Sequence, residues 1–347
     1  MGLHKCNCMF VPPRVLENLA KVGVEKARLS IQQSKISRAK RADKLVDMKA
    51  FIGAKAKAKA KPKRKVYDCQ NTWEQRVKLV RDEGKPATGD KDADLVYKYA
   101  GNVRDYFNKV LQRNSIDNSG MDLILNVHYG EDYMNAFWDG DEMTFGDGDG
   151  EIFISFTRSL DVVAHELSHG VTQFTADLEY FSQSGALNEH FSDVFGSAIT
   201  QYVLKQDAGQ ADWLVGDEIM GPTLYGESLR SMQAPGTAYD NNLLGKDPQP
   251  AHMNDYYAGS DDNQGVHTNS GIPNRAFYLV SMEIGTDKAA LIWYSALQKL
   301  WSTAKFNDAV EVIVESARML TKQKQVPVGS TQRVRAAFRE VGLPHVT

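Results

Sequence analysis

The chain is short of cysteine, of long apolar runs and of an apolar leader. Three cysteines in 347 residues (Cys6, Cys8 and Cys69) are too few for a disulfide framework. No stretch approaches the roughly 20 apolar residues of a membrane-spanning helix, so no membrane role is expected. His4, Lys5, Asn7, Pro12 and Pro13 interrupt the first residues, which therefore do not read as a signal peptide. Cys6 stands where a myristoylation signal needs Ser or Thr. With no address visible, the expectation is a cytoplasmic protein, with non-classical secretion as its route out.

The charge balance is divided. The net charge of −3 conceals eighteen Lys or Arg against four acids in residues 1–65, a net +14, and 23 against 40 in the remainder, a net −17. Residues 53–65 read GAKAKAKAKPKRK, a run with no apolar face that is expected to be a solvated, easily cleaved linker. It has no interleaved aromatics, which argues against nucleic acid as the main partner. Before it, residues 1–52 hold short amphipathic helical patterns with Leu16, Leu19, Leu29, Ile31, Ile36, Leu45, Val46 and Ile52. This is too little apolar surface for a domain that stands alone.

What is present is chemistry-bearing. His165, Glu166 and His169 spell HELSH in a segment whose Leu, Val and Ala favour helix. Residues four apart share a helix face, so both imidazoles can reach one zinc ion with Glu166 beside its open position. Twenty residues after His169, a second amphipathic helix GALNEHFSDVFG offers Glu189 as third ligand. One turn later Asp193 can accept from the far nitrogen of a liganding histidine, most simply His165. His190 points elsewhere on that helix and reads as structural.

At these residues the chain resembles the thermolysin-like zinc metallopeptidases. Further motifs carry the resemblance: VYDCQN (66–71), NAFWDG (135–140), GDGDG (146–150), SLRSM (228–232) and DNQGVHTNSGI (262–272). It implies zinc held by His165, His169 and Glu189, which would lower the pKa of a water toward about 7 and polarise the scissile carbonyl. Glu166 is implied as general base. His267, oriented by Asp262, and Tyr180 are implied as oxyanion donors. Asp193 and Asn188 would orient the ligands. Asn135, Ala136 and Arg230 would hold the substrate backbone. Phe153, Phe156, Val162 and Leu229 would line the pocket for the side chain after the cut, which predicts cleavage before Leu, Phe, Ile or Val. The product is then a neutral endopeptidase acting on proteins or peptides, expected to be a monomer.

Pro12-Pro13-Arg14-Val15-Leu16 resembles the motif of the protealysin-type subgroup, whose short propeptide blocks the cleft. Pro12, Pro13 and Leu16 are thus expected to inhibit, while Pro-Pro merely starting a helix is the competing reading. A thiolate from Cys6 or Cys8 capping the zinc is a further possibility the sequence raises. Calcium is doubtful. Of the family's paired calcium site Asp161, Asp212 and Asp217 remain, Thr200 and Leu214 replace two carboxylates, and Met220-Gly221 replaces a Tyr-Thr pair of another site.

Short strand-like runs such as LILNVHY (123–129) and EIFISF (151–156) precede a helix-rich half. The expectation is an α+β, two-lobed fold: propeptide 1–52, linker 53–65, β-rich lobe 66–160 and helical lobe 161–347, joined by the zinc helix.

Overall fold

The computed structural model describes residues 8–51, the last ten by backbone alone, and 61–344. Two helices come first, α1 (Pro13–Lys21) and α2 (Glu25–Phe51). The body begins with strands β1 (Arg64–Asp68) and β2 (Lys78–Arg81), then α3 (Lys91–Lys109), β3 (Leu123–Val127), β4 (Ala136–Trp138) and β5 (Met143–Phe145). The five strands form one mixed sheet in the order β2-β1-β3-β5-β4. Strand β4 therefore lies at an edge, pairing antiparallel with β5 on one side only within the sheet.

The second half is helical: α4 (Leu160–Gln173), α5 (Ser182–Leu204), α6 (Asp261–Asn269), α7 (Gly271–Ile284), α8 (Thr286–Leu297), α9 (Phe306–Lys322) and α10 (Ser330–Glu340). Helices α4 and α5 are buried along nearly their whole length, which their Leu, Val, Ala and Phe content permits. Gly170 lets α4 approach β4. A Cβ there would sit 2.5 Å from Ile116 and 3.0 Å from the Trp138 ring.

Two expectations need correction. The linker was expected to run to Lys65, yet Arg64 and Lys65 belong to β1. The Arg64 guanidinium donates to Glu83 and to the Tyr97 carbonyl and stacks over the Tyr97 ring, so its charge is used in the body rather than solvated. Linker residues 53–60, and Ile52 before them, lie outside the described residues. In α2 the apolar pattern also misleads: Leu29 and Ile36 are exposed, at 44% and 41%. The buried face instead carries Ala27, Ser30, Ser34, Ser37 and Arg41, small or hydrogen-bonding residues that admit close approach. The Ser30 hydroxyl accepts from the Met134 amide at 3.0 Å, and the Ser34 and Tyr133 hydroxyls lie 3.0 Å apart.

A charged cluster pins the sheet's end to α3. His128 Nδ1 lies 2.9 Å from Asp147, and its Nε2 lies 2.8 Å from Asp90, the residue that caps α3. The Asp147 hydrogen bond, against some opposition from burial, raises His128 to about 10. Its ordinary value is about 6.5, so its contribution is complete below pH about 6.5 and is lost as pH rises through about 10. His128→Gln should cost about 2 kcal/mol at pH 6 and clearly less at pH 10.5, measured by urea unfolding. An equal cost at both would mean that packing, not charge, is what the ring supplies.

Candidate active site

The HELSH segment is the middle of α4, and α5 packs across it with Glu189 facing the histidines. His165 Nε2 and His169 Nε2 are 3.0 Å apart, and Glu189 oxygens lie 3.4 and 3.5 Å from them. All three side chains are fully buried.

The donor set fits a divalent cation. His165 Nδ1 is 2.8 Å from Asp193 Oδ1, a carboxylate that can only accept. His169 Nδ1 is 2.8 Å from Asn188 Oδ1, whose amide nitrogen is committed to the Leu178 carbonyl. Both Nδ1 atoms must therefore carry hydrogen, and in the neutral rings both Nε2 lone pairs point at one another. Glu189 Oε2 is likewise buried without a hydrogen bond. Ligands around zinc at about 2.0–2.2 Å stand about 3.3 Å apart, close to the spacings seen. A proton on His165 is the alternative occupant. Burial opposes it, but Asp193 and Glu189 outweigh burial and raise this ring to about 9, while burial lowers His169 to about 3. Metal and proton compete for this site.

Glu166 lies on the same helix. Its Oε2 accepts from the Trp138 amide at 3.0 Å, and its Oε1 is buried with no hydrogen-bond partner. Burial, then the charge of Glu189 against that of His165, lifts its carboxyl to about 8. His190 faces away, its nitrogens taken by Asn274 and by the Trp293 indole at 2.7 Å each.

His267 approaches from the other side. The stretch Asp262–Gly265 is left-handed, which curls the chain so that Asp262 meets both the amide and Nδ1 of His267 at 2.8 and 2.7 Å. Burial disfavours the imidazolium, but Asp262 and Glu189 together raise the pKa. Tyr180 is 3.2 Å from His267 Nε2. Its hydroxyl donates to Glu189 Oε1, the strongest acceptor in reach, instead of standing free for an oxyanion.

The chain's own head fills the cleft, and the residues that meet the catalytic groups directly, Met9 to Val11, precede the proline motif. Met9 bridges antiparallel to Phe137, extending the sheet beyond β4. The Phe10 amide donates to the Ala136 carbonyl at 3.1 Å, and the Val11 amide to Asn135 Oδ1 at 2.9 Å. Asn135 Nδ2 donates back to the Val11 carbonyl at 3.3 Å. The Phe10 carbonyl accepts from Arg230 Nη1 at 3.3 Å, and the Met9 carbonyl lies 3.0 Å from His267 Nε2. Phe10 is fully buried, its ring 5.1 Å from that of His165, 4.9 Å from the Arg230 guanidinium and packed with Leu229 against Gly216. Phe153, Phe156 and Val162 are fully buried in the same core.

Pro12 and Pro13 combine a helix start with a place at the cleft. Pro13 opens α1, and both prolines line the cleft beside Leu229, Arg230 and His267. Leu16 is buried in the core. Cys6 lies outside the described residues. Cys8 is disulfide-bonded and packs with Tyr180 and Val266, so it brings no thiolate to the histidines.

Two contributors, Asn274 and Arg41, and a second role of Arg230 escaped the sequence reading. Arg230 is forked onto Asp193 through Nε and Nη2 at 2.9–3.2 Å, so one residue binds a backbone carbonyl and steadies the partner of His165. Asn274 adds a third hydrogen bond to Asp193 at 2.8 Å. Burial would raise the Asp193 carboxyl, yet Arg230 and His165 hold it well below the usual range. Arg41 of α2, 3% exposed, donates to the Trp138 carbonyl and to Gln173, closing the far end of β4. No spacing or motif marks these, because each pairs distant segments.

Two family models match. The thermolysin metallopeptidase catalytic domain covers residues 33–173, and the thermolysin metallopeptidase alpha-helical domain covers 176–343. An extracellular metalloprotease of Pectobacterium carotovorum subsp. carotovorum is 47% identical over 300 residues, 84% of each chain. Protease PrtS of Photorhabdus sp. (strain Az29) is 49% identical over 264 residues, 74% of this chain and 71% of that one. Among solved structures, the precursor of protealysin, a metalloproteinase from Serratia proteamaculans, superposes with a TM-score of 0.85 at 41% identity, covering 97% of this chain and 99% of that one. The first relative is named for work outside the cell, which overturns the cytoplasmic expectation. That expectation rested on reading no address in the first residues, and such a reading does not fix where a protein acts.

Proposed function

This chain belongs to the thermolysin family of zinc-dependent metallopeptidases, in precursor form, and we propose that it cuts peptides on the N-terminal side of bulky apolar residues. One observation carries the specificity. Residues 9–11 lie along β4 as a peptide would, with an apolar side chain, Phe10, buried where the residue after the cut belongs.

His165, His169 and Glu189 would hold the zinc, with Asp193 and Asn188 fixing the two rings. When bound, zinc supplies a Lewis acid that polarises a carbonyl and acidifies a water. Glu166, whose Oε1 is buried without a hydrogen-bond partner, would take a proton from the attacking water and pass it to the leaving nitrogen. His267, kept protonated by Asp262, donates to the developing oxyanion, with Tyr180 beside it. Asn135, Ala136 and Arg230 align the backbone, so the reacting atoms meet without a search. Digestion of a peptide library by the trimmed enzyme should enrich Leu, Phe, Ile and Val directly after the cut. Enrichment of charged residues there would reject the reading.

Residues 1–52 act as the inhibitory propeptide and the Lys-rich run up to Lys63 as its removable tether, with lobes on either side of Asp161. The enzyme works outside the cell as a monomer on proteins or peptides. Calcium has no part in its stability. In support, both Asp161 oxygens already accept from protein donors, the Ser159 hydroxyl and the Val162 and Gly216 amides, whose hydrogens occupy the space a cation would need. Calcium-specific chelation with zinc kept constant should move Tm by less than about 2 °C. A large fall would restore the calcium site.

A further inference from the structure

We infer that the Met9–Phe10 peptide bond is itself a substrate: the zinc-loaded precursor cuts its own head there, within one molecule. The inference rests on the peptidase reading above and adds a bond, a direction and an order of events.

A segment can block a cleft in several ways, and most keep its peptide bonds away from the chemistry. Here the strand runs antiparallel to β4 and is held on both sides of one bond. Ahead of that bond, the Met9 carbonyl oxygen is 3.0 Å from His267 Nε2. Behind it, the Phe10 amide is fixed by the Ala136 carbonyl, the Phe10 carbonyl by Arg230, and the Val11 amide by Asn135. Groups assigned to oxyanion and substrate backbone therefore bracket Met9–Phe10 and no neighbouring bond. The Phe10 ring lies edge-on to His165, which brings this bond to the liganding histidines. Glu166 Oε1, buried and without a hydrogen bond, supplies the base. Ground-state geometry of this kind is what makes a bound peptide reactive.

The step balances with water alone. The water oxygen joins the Met9 carbonyl carbon, the bond to the Phe10 nitrogen breaks, and Glu166 carries the water proton to that nitrogen. Met9 becomes a carboxylate and Phe10 a new N-terminal amine. The cut severs the segment on one side of the catalytic centre from the Pro-Pro helix on the other. The departing piece loses the high local concentration that tethering gives. Its release opens the cleft from the N-terminal side before the Lys-rich run is trimmed.

The test uses the full chain, purified without metal, then given zinc and followed by intact mass and N-terminal sequencing over a tenfold range of protein concentration. The expected result is a species beginning at Phe10 whose first-order rate constant does not change with dilution. It should be absent in Glu166→Ala and at least about tenfold slower in Phe10→Asp, which places a charge in the apolar site. An independent reading needs no turnover: in metal-free Glu166→Ala, the Phe10 and Val11 amides should resist hydrogen exchange, and Phe10→Asp should remove that protection. Glu166-dependent trimming of the Lys-rich run while Met9–Phe10 stays whole would overturn the self-cut and leave the peptidase standing. A Phe10 terminus whose rate rises with concentration would overturn the intramolecular step, and no cut anywhere would count against both.

Discussion

Glu166→Ala should lower kcat/KM of the zinc-loaded enzyme on an apolar peptide by about 10²–10⁴-fold, the share a positioned general base supplies. Zinc content should remain at one per chain, because the three converging ligand atoms come from His165, His169 and Glu189 and not from this carboxylate. The fold should also survive. Glu166 is fully buried, and burial is the main cause that lifts its carboxyl to about 8, so the native state gains little from its charge. Removing it leaves the Trp138 amide without its acceptor, a cost of about 1–3 kcal/mol that thermal melting would register as a modest shift. In the precursor the variant should keep its full mass with zinc present while wild type is trimmed. A variant that retained activity would move the base elsewhere and favour a zinc protein whose Glu166 has no chemical part.

Arg230→Ala should be nearly as damaging, for a reason split between binding and metal. The guanidinium is 1% exposed and serves the Phe10 carbonyl and the Asp193 carboxylate at once. Truncating one member of a buried ion pair costs about 3–5 kcal/mol, since the other charge stays buried. Here that stranded charge is the one that orients His165, and loss of such support typically weakens metal affinity by about 10–100-fold. The variant should therefore show a raised KM for peptides, a weaker hold on zinc in chelator competition, and a looser head. Arg230→Lys keeps the charge but not the fork, so it should recover zinc affinity better than KM. Unchanged KM and zinc affinity in the alanine variant would dismiss this double role.

The head joins latency to recognition by the same groups. The contacts that hold Phe10 and Val11 are those proposed for a substrate backbone, so any substitution that weakens one should weaken the other. Arg41 and the serine face of α2 are different: they grip the Trp138 carbonyl and the 133–134 segment from outside the catalytic groups.

The candidate metal site on α4 and much of the constellation around it were legible in the order of residues alone. A four-residue spacing places His165 and His169 on one face whatever the rest of the chain does, and another four residues set Asp193 one turn beyond Glu189. The five-residue reach from Asp262 to His267 is likewise local, as is the start of α1 at Pro13. Contacts that cross between segments came from packing. The bond in the cleft, Met9–Phe10, is set by partners 124 to 258 residues away, Asn135 and His267 among them. The buried face of α2 is chosen by what it meets, so serines and Arg41 turn inward while Leu29 and Ile36 turn out. Arg230 finds Asp193, 37 residues away within the helical half, only when its segment folds back onto α5. Periodicity encodes which residues share a face, but the partner of that face depends on shape and hydrogen-bond complementarity between surfaces that exist only after the chain has folded.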